Sequence, residues 1–260
     1  MKKEDLNILG KLSNQEIISI LNNIGGKIMT ESAHGYAEHK GKTILEASLK
    51  ASKEYSDLAK KKPAVALILV VLAANRNYNM HVQNHINRIE EDGLKDFAQL
   101  SEILRKKSKN EFYDYWGPKD EKKYNTLKNI LEGIKTLKIS SPEINNDYEL
   151  MNKWGTKADL FHRKDDILGK IPNVGIATFQ HLRMVFGVNT VKPDRRVKEV
   201  LCGEFHFQKI TDIEAIRAVE QIAKISGRKV ITVDQILVKY GSGYYNKNAK
   251  KINEKSCHMR

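Results

Sequence analysis

The sequence predicts an all-α protein, and three observations support this class. Capping boxes, in which Ser or Thr is followed three residues later by Glu or Gln, recur along the chain. They begin at Ser13, Thr43, Thr211 and Thr232. Apolar residues with helical spacing follow them, and sustained alternation of apolar and polar residues is scarce. A chain of 260 residues without an internal repeat is long enough for one large domain or two lobes.

The helices follow in chain order from these signals. The first box precedes an apolar face that ends at Gly25-Gly26, and residues 43–60 form an amphipathic helix. Pro63 opens the most hydrophobic segment, residues 64–74, which is shorter than the about 20 residues needed to cross a bilayer and is therefore expected to be a buried core helix. Further helices are expected over 94–104 and 119–138. The sequence predicts roughly ten helices in all.

The chain carries 45 Lys and Arg against 32 Asp and Glu, a formal net charge of +13. This excess favours a polyanionic partner, with nucleic acid first and an anionic membrane surface second. A basic composition that only maintains solubility stays open as the alternative. The first residues contain no apolar stretch of the length found in secretory signals, so we expect a cytoplasmic protein.

Residues 163–201 contain the segment that bears most on function. A helix over Ile167 and Leu168 is expected to end at Gly169, and residues 171–175 (IPNVG) form a tight turn. Asn173 and Gly175 can adopt positive φ at little cost. A second helix follows over 176–186. Such a hairpin directs unpaired backbone N–H groups outward and can bind phosphate, although most helix–turn–helix pairs bind nothing.

Asp194 follows an extended Lys192-Pro193 element and precedes a helix over 195–201. A carboxylate at a helix N-terminus is held in its ionised form by the helix dipole. It could serve as an ordinary N-cap worth about 1 kcal/mol. It could equally provide a fixed negative charge beside a reaction that develops positive charge.

The hairpin and Asp194 together resemble the helix-hairpin-helix (HhH-GPD) DNA glycosylases of the endonuclease III superfamily. Residues 171–175 match the family's L-P-G-V-G hairpin, and residues 192–194 match its Gly/Pro-Asp element. The resemblance implies a two-lobed helical fold. N-terminal helices over 1–62 would pack with a C-terminal lobe over 192–260. A central helical lobe over 63–191 would end in the hairpin.

The resemblance also implies an activity, base flipping followed by cleavage of the N-glycosidic bond in base-excision repair. Asp194 would stabilise the cationic sugar and activate water. The partner would be double-stranded DNA with a damaged or mismatched base, bound by a nucleoid-associated monomer. The expected DNA contacts are Pro172, Asn173, Val174, Gly175, Ile176, Arg195, Arg196, Asn75 and Arg76. No cofactor is required, although the resemblance leaves open a monovalent cation on the hairpin carbonyls.

The sequence departs from the family's pattern in three respects. Ala177 stands where bifunctional members carry a nucleophilic lysine, which predicts a monofunctional enzyme with weak or no lyase activity. Only Cys202 and Cys257 are present, so the four-cysteine iron–sulfur cluster of many relatives cannot form. Asn173 replaces the first hairpin glycine and adds a side chain near the phosphates.

Two other functions stay open at this point. A non-catalytic DNA-binding protein would retain the hairpin and use Asp194 only as a cap. A metal-dependent nuclease would need His81, His85 and acidic residues, but no third ligand is evident and we expect no metal site. The aromatic residues over 112–116 could line a base pocket, with core packing favoured. The base that is released cannot be deduced from the sequence.

Overall fold

The computed structural model describes residues 8–10, 12–30, 39–74 and 82–245. These residues are all-α: they contain helices and one isolated antiparallel bridge between Ile28 and Thr43, with no strand in the described ranges. The helices are α1 (Asn14–Gly25), α2 (Ile44–Glu54), α3 (Asp57–Lys61), α4 (Pro63–Ala73), α5 (Gln83–Glu91), α6 (Phe97–Lys106), α7 (Lys109–Trp116), α8 (Glu121–Ile139), α9 (Asp147–Lys157), α10 (Ile176–Val185), α11 (Arg195–Glu204), α12 (Asp212–Ser226) and α13 (Val230–Gly241). None of them is long and apolar enough to span a bilayer.

Three of the four predicted capping boxes form. Ser13, Thr43 and Thr211 each pair with the Glu three residues later, and each Glu carboxylate accepts the backbone N–H of its Ser or Thr. The fourth box is wrong, because α13 begins at Val230 and Thr232 already lies inside the helix. The Thr232 hydroxyl instead donates to the Ser52 hydroxyl at 3.0 Å, since α2 packs against α13.

The chain divides into two compact units, and unit 1 combines Met1–Glu54 with Asn189–Arg260. In this unit α13 packs against α1, α2, α11 and α12. The sequence placed the second boundary at 191/192. The structure assigns residues 189–191 to unit 1, where Asn189 Oδ1 accepts a hydrogen bond from Ile231 N at 3.1 Å.

Unit 2 is the continuous segment Tyr55–Val188. Its centre is α4, whose Pro63–Ala73 residues are buried on nearly every side, as the unbroken apolar run predicts. Helices α3, α5, α6, α8 and α10 pack around it. The sequence placed residues 55–62 with the N-terminal helices, whereas α3 packs on α4 and belongs to unit 2, which moves the first boundary to 54/55.

Candidate nucleic-acid interface

The predicted hairpin forms a tight turn before α10 in unit 2. Val174 N donates to Ile171 O at 3.0 Å and closes the turn. Asn173 has φ of 69°, a left-handed conformation that Asn tolerates better than most residues. Ile171 and Val174 are buried, whereas Pro172 and Asn173 are exposed. Two apolar side chains therefore anchor the turn while its tip faces solvent.

The start of α10 has no side-chain cap. Gly175 is the N-cap residue, and the first backbone hydrogen bond runs from Phe179 N to Gly175 O at 2.9 Å. Gly175 has φ of −75°, so the positive φ that the sequence allowed at two positions is used only at Asn173. A Cβ at Gly175 would meet nothing within 4 Å. Since no described side chain caps this helix start, the first N–H groups of α10, from Ile176 onward, can donate to an approaching anion.

The helix that the sequence predicts over Ile167 and Leu168 does not form, because residues 161–170 are turns and a bend. Asp166 is the reason, because its Oδ1 accepts the backbone N–H of Leu168 and of Gly169, both at 2.8 Å. An Asp side chain that bonds to backbone two and three residues ahead starts a new turn instead of continuing a helix. The indole N–H of Trp154 donates to Asp166 Oδ2 at 3.0 Å and fixes the carboxylate. The chain therefore enters the hairpin through separate turns, and only α10 is a regular helix.

Basic side chains surround the turn. Arg163, Lys164 and Lys170 line a concavity of about 470 Å³ together with the backbone of residues 173–175. Lys164 and Lys170 are exposed and Arg163 is half-buried. Within the described ranges none of the three forms a salt bridge. This positively charged hollow beside an uncapped helix N-terminus has the chemistry of a phosphate site.

Asp194 is the N-cap of α11 in unit 1. Its Oδ1 accepts the backbone N–H of Arg196 at 3.0 Å and of Val197 at 3.2 Å. The residue is half-buried, and no described residue donates to Oδ2. Both roles suggested by the sequence are therefore compatible in one side chain. One oxygen caps the helix, and the other can accept a hydrogen bond from water or a ligand.

A second carboxylate, which sequence reasoning missed, accepts a hydrogen bond from the extended segment before Asp194. Asp234 of α13 is 2% exposed, and its Oδ1 accepts the backbone N–H of Lys192 at 3.2 Å. Burial, and after it the negative charge of Asp194, raises the pKa of Asp234 to about 7. A proton on Asp234 removes a second negative charge from beside Asp194. The only sequence signal was an acidic residue between the apolar Val233 and Ile236 of a core helix.

Asp234 belongs to a small buried polar cluster. The Gln235 amide donates to Asp234 Oδ2 at 3.1 Å, and Lys239 Nζ donates to Gln235 Oε1 at 3.0 Å. Burial lowers the pKa of Lys239 to about 8, against an opposing effect of the Asp234 charge. The cluster thus provides buried polar groups beside the Lys192–Asp194 segment.

Arg195 and Arg196, the expected phosphate contacts after Asp194, both bind a buried glutamate. Arg195 Nε lies 2.6 Å from Glu199 Oε1, and Arg196 Nη1 lies 3.0 Å from Glu199 Oε2. The Glu199 side chain is 8% exposed, whereas the arginine side chains are 52% and 33% exposed. Glu199 therefore neutralises part of their charge while it fixes their orientation.

The weaker sequence predictions have different outcomes. Asn75, Arg76 and His81 lie outside the described residues. His85 packs against Gly117, where a Cβ would come within 2.1 Å of its Nδ1. In the aromatic cluster Phe112 and Trp116 are fully buried, which favours core packing over a base pocket. Among the described residues no three His, Cys, Asp or Glu side chains converge as a metal site.

The structure thus groups the predicted residues into two sets. Residues 172–176 lie together beside three basic side chains in unit 2, and Asp194, Arg195 and Arg196 lie together at the start of α11 in unit 1. Comparison with protein-family models, with curated proteins and with solved structures finds no significant match to this chain.

Proposed function

We propose that this chain is a monofunctional DNA glycosylase that flips a damaged or mismatched base from the duplex and hydrolyses its N-glycosidic bond. The observation that carries the proposal is Asp194, a half-buried carboxylate held by two backbone N–H donors through one oxygen only. It follows in sequence a hairpin whose open helix start and basic hollow suit a DNA phosphate. The two-lobed HhH-GPD architecture is part of the same proposal, supported by the division into a discontinuous and a continuous unit.

The proposed chemistry assigns one role to each group. As the bond between C1′ and the base nitrogen breaks, its electron pair leaves with the base and the sugar acquires positive charge. The Asp194 carboxylate would stabilise that charge. It would then accept a proton from the water that attacks C1′ and return it to solvent, while the departing base takes up a proton from solvent, so that the products are a free base and an abasic site. Protonated Asp234 would remove competing negative charge from this position.

The hairpin would bind the DNA backbone without contacting base edges. Backbone N–H groups at the start of α10 would hold a phosphate, with Lys164 and Lys170 adding charge. Binding to a duplex is therefore expected to depend weakly on sequence and steeply on salt. The chain would act as a monomer associated with chromosomal DNA and would need no metal for the chemical step.

Asp194→Asn is the decisive variant, because Asn is as good an N-cap as Asp and should preserve α11. Base release from duplexes carrying a panel of alkylated, oxidised, deaminated and mismatched bases is measured after alkali treatment. We expect a loss of at least about 100-fold in the rate of base release, with duplex affinity retained. Asp96→Asn is the matched control, since Asp96 also caps a helix through Oδ1 and lies in unit 2.

Three outcomes contradict parts of this proposal. Unchanged base release in Asp194→Asn would remove Asp194 from the mechanism. Duplex binding by the wild-type protein without release of any base on the panel would favour the non-catalytic DNA-binding protein. Trapping of a covalent protein–DNA adduct by borohydride would contradict the monofunctional assignment, which depends on Ala177 in place of a nucleophilic lysine.

A further inference from the structure

The resemblance to the glycosylase family leaves open a monovalent cation on the hairpin carbonyls, and the structure shows which groups already bind those carbonyls. A metal ion at such a turn needs several backbone carbonyl oxygens that point to one position that no other cation occupies. The carbonyls of residues 169–175 are the ones available in this chain, so their partners decide whether an ion fits.

An arginine side chain already lies on two of these carbonyls. Arg163 Nη1 donates to Gly169 O at 2.6 Å and to Val174 O at 2.6 Å. One cationic nitrogen therefore joins the residue before the turn to the residue at its end. A metal ion on these two oxygens would have to displace the guanidinium and would then meet its positive charge.

Three of the neighbouring carbonyls, those of Ile171, Pro172 and Gly175, accept hydrogen bonds as well. Ile171 O accepts from Val174 N at 3.0 Å, and Gly175 O accepts from Phe179 N at 2.9 Å. Pro172 O accepts from the Thr126 hydroxyl at 3.3 Å. Because the Arg163 guanidinium already lies on Gly169 O and Val174 O, the residues present do not fit a metal ion bound to these carbonyls.

The local structure holds Arg163 in this position. A Cβ on Gly169 would come within 2.4 Å of Arg163 O and 2.7 Å of Arg163 Cγ, so only glycine allows this close approach. Asp166 fixes the turn between the two residues through the backbone N–H of Gly169. The arginine is thus part of the turn's own framework and not an exposed side chain that happens to lie near it.

The charge of Arg163 is available to a ligand. No carboxylate in the described part of the chain forms an ion pair with its guanidinium, which lines the same concavity as Lys164 and Lys170. Because the guanidinium carries this charge itself, the charge at the turn does not depend on a bound potassium or sodium ion.

We infer that Arg163 is a built-in cation that takes the place of a monovalent metal ion at the hairpin, so that the turn binds DNA phosphate independently of potassium or sodium. The inference rests on the proposed function, because it concerns how the hairpin binds DNA. Arg163 is a positioning residue: it holds the two ends of the turn together and places a positive charge under it.

The first test needs no substitution. Binding of the full chain to a fluorescein-labelled duplex with a tetrahydrofuran abasic-site analogue is measured by anisotropy in chloride salts of potassium, sodium and tetramethylammonium, at about 0.1 M in each case. We expect dissociation constants that agree within about twofold, because tetramethylammonium is too large for a carbonyl cluster. Weakening by about tenfold or more in tetramethylammonium would overturn the inference.

The second test replaces the arginine. Arg163→Gln should weaken duplex binding by about tenfold or more, and Arg163→Lys should recover part of the loss since an ammonium group can also donate to two carbonyls. Arg183→Gln is the matched control. Arg183 Nε also donates to a backbone carbonyl, that of Gly155 at 2.9 Å, but this contact lies outside the hairpin. Unchanged affinity in Arg163→Gln contradicts the inference, and if that variant does not fold, the cation series on the wild-type protein decides.

Failure of this inference can be distinguished from failure of the proposed function. A protein that binds the duplex only when potassium or sodium is present retains the hairpin site and loses the role given to Arg163. A protein that binds no duplex in any of the three salts overturns both.

Discussion

The buried carboxylate of Asp234 makes the stability of unit 1 depend on pH in a direction opposite to that of most aspartates. Burial and the Asp194 charge raise its pKa from 3.8 to about 7. Between these two values the unfolded chain has lost the proton while the folded chain keeps it. The folded state therefore binds more protons, and the free energy of unfolding falls as pH rises through this window.

The magnitude follows from the size of the shift. Each pKa unit corresponds to about 1.4 kcal/mol, so about three units correspond to at most about 4 kcal/mol between pH 4 and 7. This contribution is fully present below the unfolded pKa of 3.8, declines as pH rises, and is lost as pH passes the folded pKa of about 7. Asp234→Asn removes the titration but keeps an oxygen that can accept the hydrogen bond from Lys192 N.

The measurement must report on unit 1. Trp116 and Trp154 both lie in unit 2, so tryptophan emission does not follow the unit that contains Asp234. Hydrogen exchange of the α11 and α13 amides is therefore compared between wild type and Asp234→Asn at several pH values. The unfolding free energy of the variant relative to wild type should rise by up to about 4 kcal/mol from pH 4 to 7.

Two outcomes test the reasoning separately. A difference between the two proteins that stays constant from pH 4 to 7 would refute the buried, protonated state of Asp234. In Asp194→Asn the neighbouring negative charge is absent, so the pKa of Asp234 should fall and the decline should end at a lower pH. An unchanged pH window in that variant would show that burial alone sets the shift.

Two further predictions concern the hairpin. Gly169→Ala should lower the urea-unfolding free energy of unit 2 by about 2 kcal/mol or more, because its Cβ would overlap Arg163. Gly175→Ala should lower that free energy by less than about 1 kcal/mol and should chiefly weaken duplex binding in an anisotropy assay. Equal destabilisation by both changes would contradict this assignment of the two glycines. Lys170→Ala should reduce the slope of log affinity against log salt by about 0.9, with Lys198→Ala as the control since Lys198 is paired with Asp212 at 2.9 Å. An unaltered slope would exclude Lys170 from phosphate binding.

Much of the fold could be predicted from local signals. The three capping boxes at Ser13, Thr43 and Thr211 form because their hydrogen bonds join residues only three positions apart. The burial of α4 follows from its unbroken apolar run. The left-handed turn residue Asn173 and the N-cap Asp194 were also predictable, since each depends on a few adjacent residues.

Predictions from local signals were wrong where a residue distant in sequence binds the side chain concerned. The helix predicted over Ile167 and Leu168 is replaced by turns, because Asp166 accepts the backbone N–H of Leu168 and Gly169 and is itself bound by the indole of Trp154. Thr232 has a capping-box pattern, yet packing of α2 on α13 places it inside the helix and pairs it with Ser52. Trp154 and Ser52 lie far in sequence from Asp166 and Thr232, so no short window could identify these two partners.

The sequence by itself determined the helical class, the tight turn over residues 171–175 and the helix start at Asp194, because these depend on interactions within a few residues. Tertiary structure alone decided that Arg163 lies on the hairpin carbonyls and that Asp234 is buried beside Lys192. Each of these depends on where a side chain lies relative to backbone, charge or solvent in three dimensions. The physical reason is that desolvation and charge–charge interactions depend on distance in space, and sequence separation does not specify that distance.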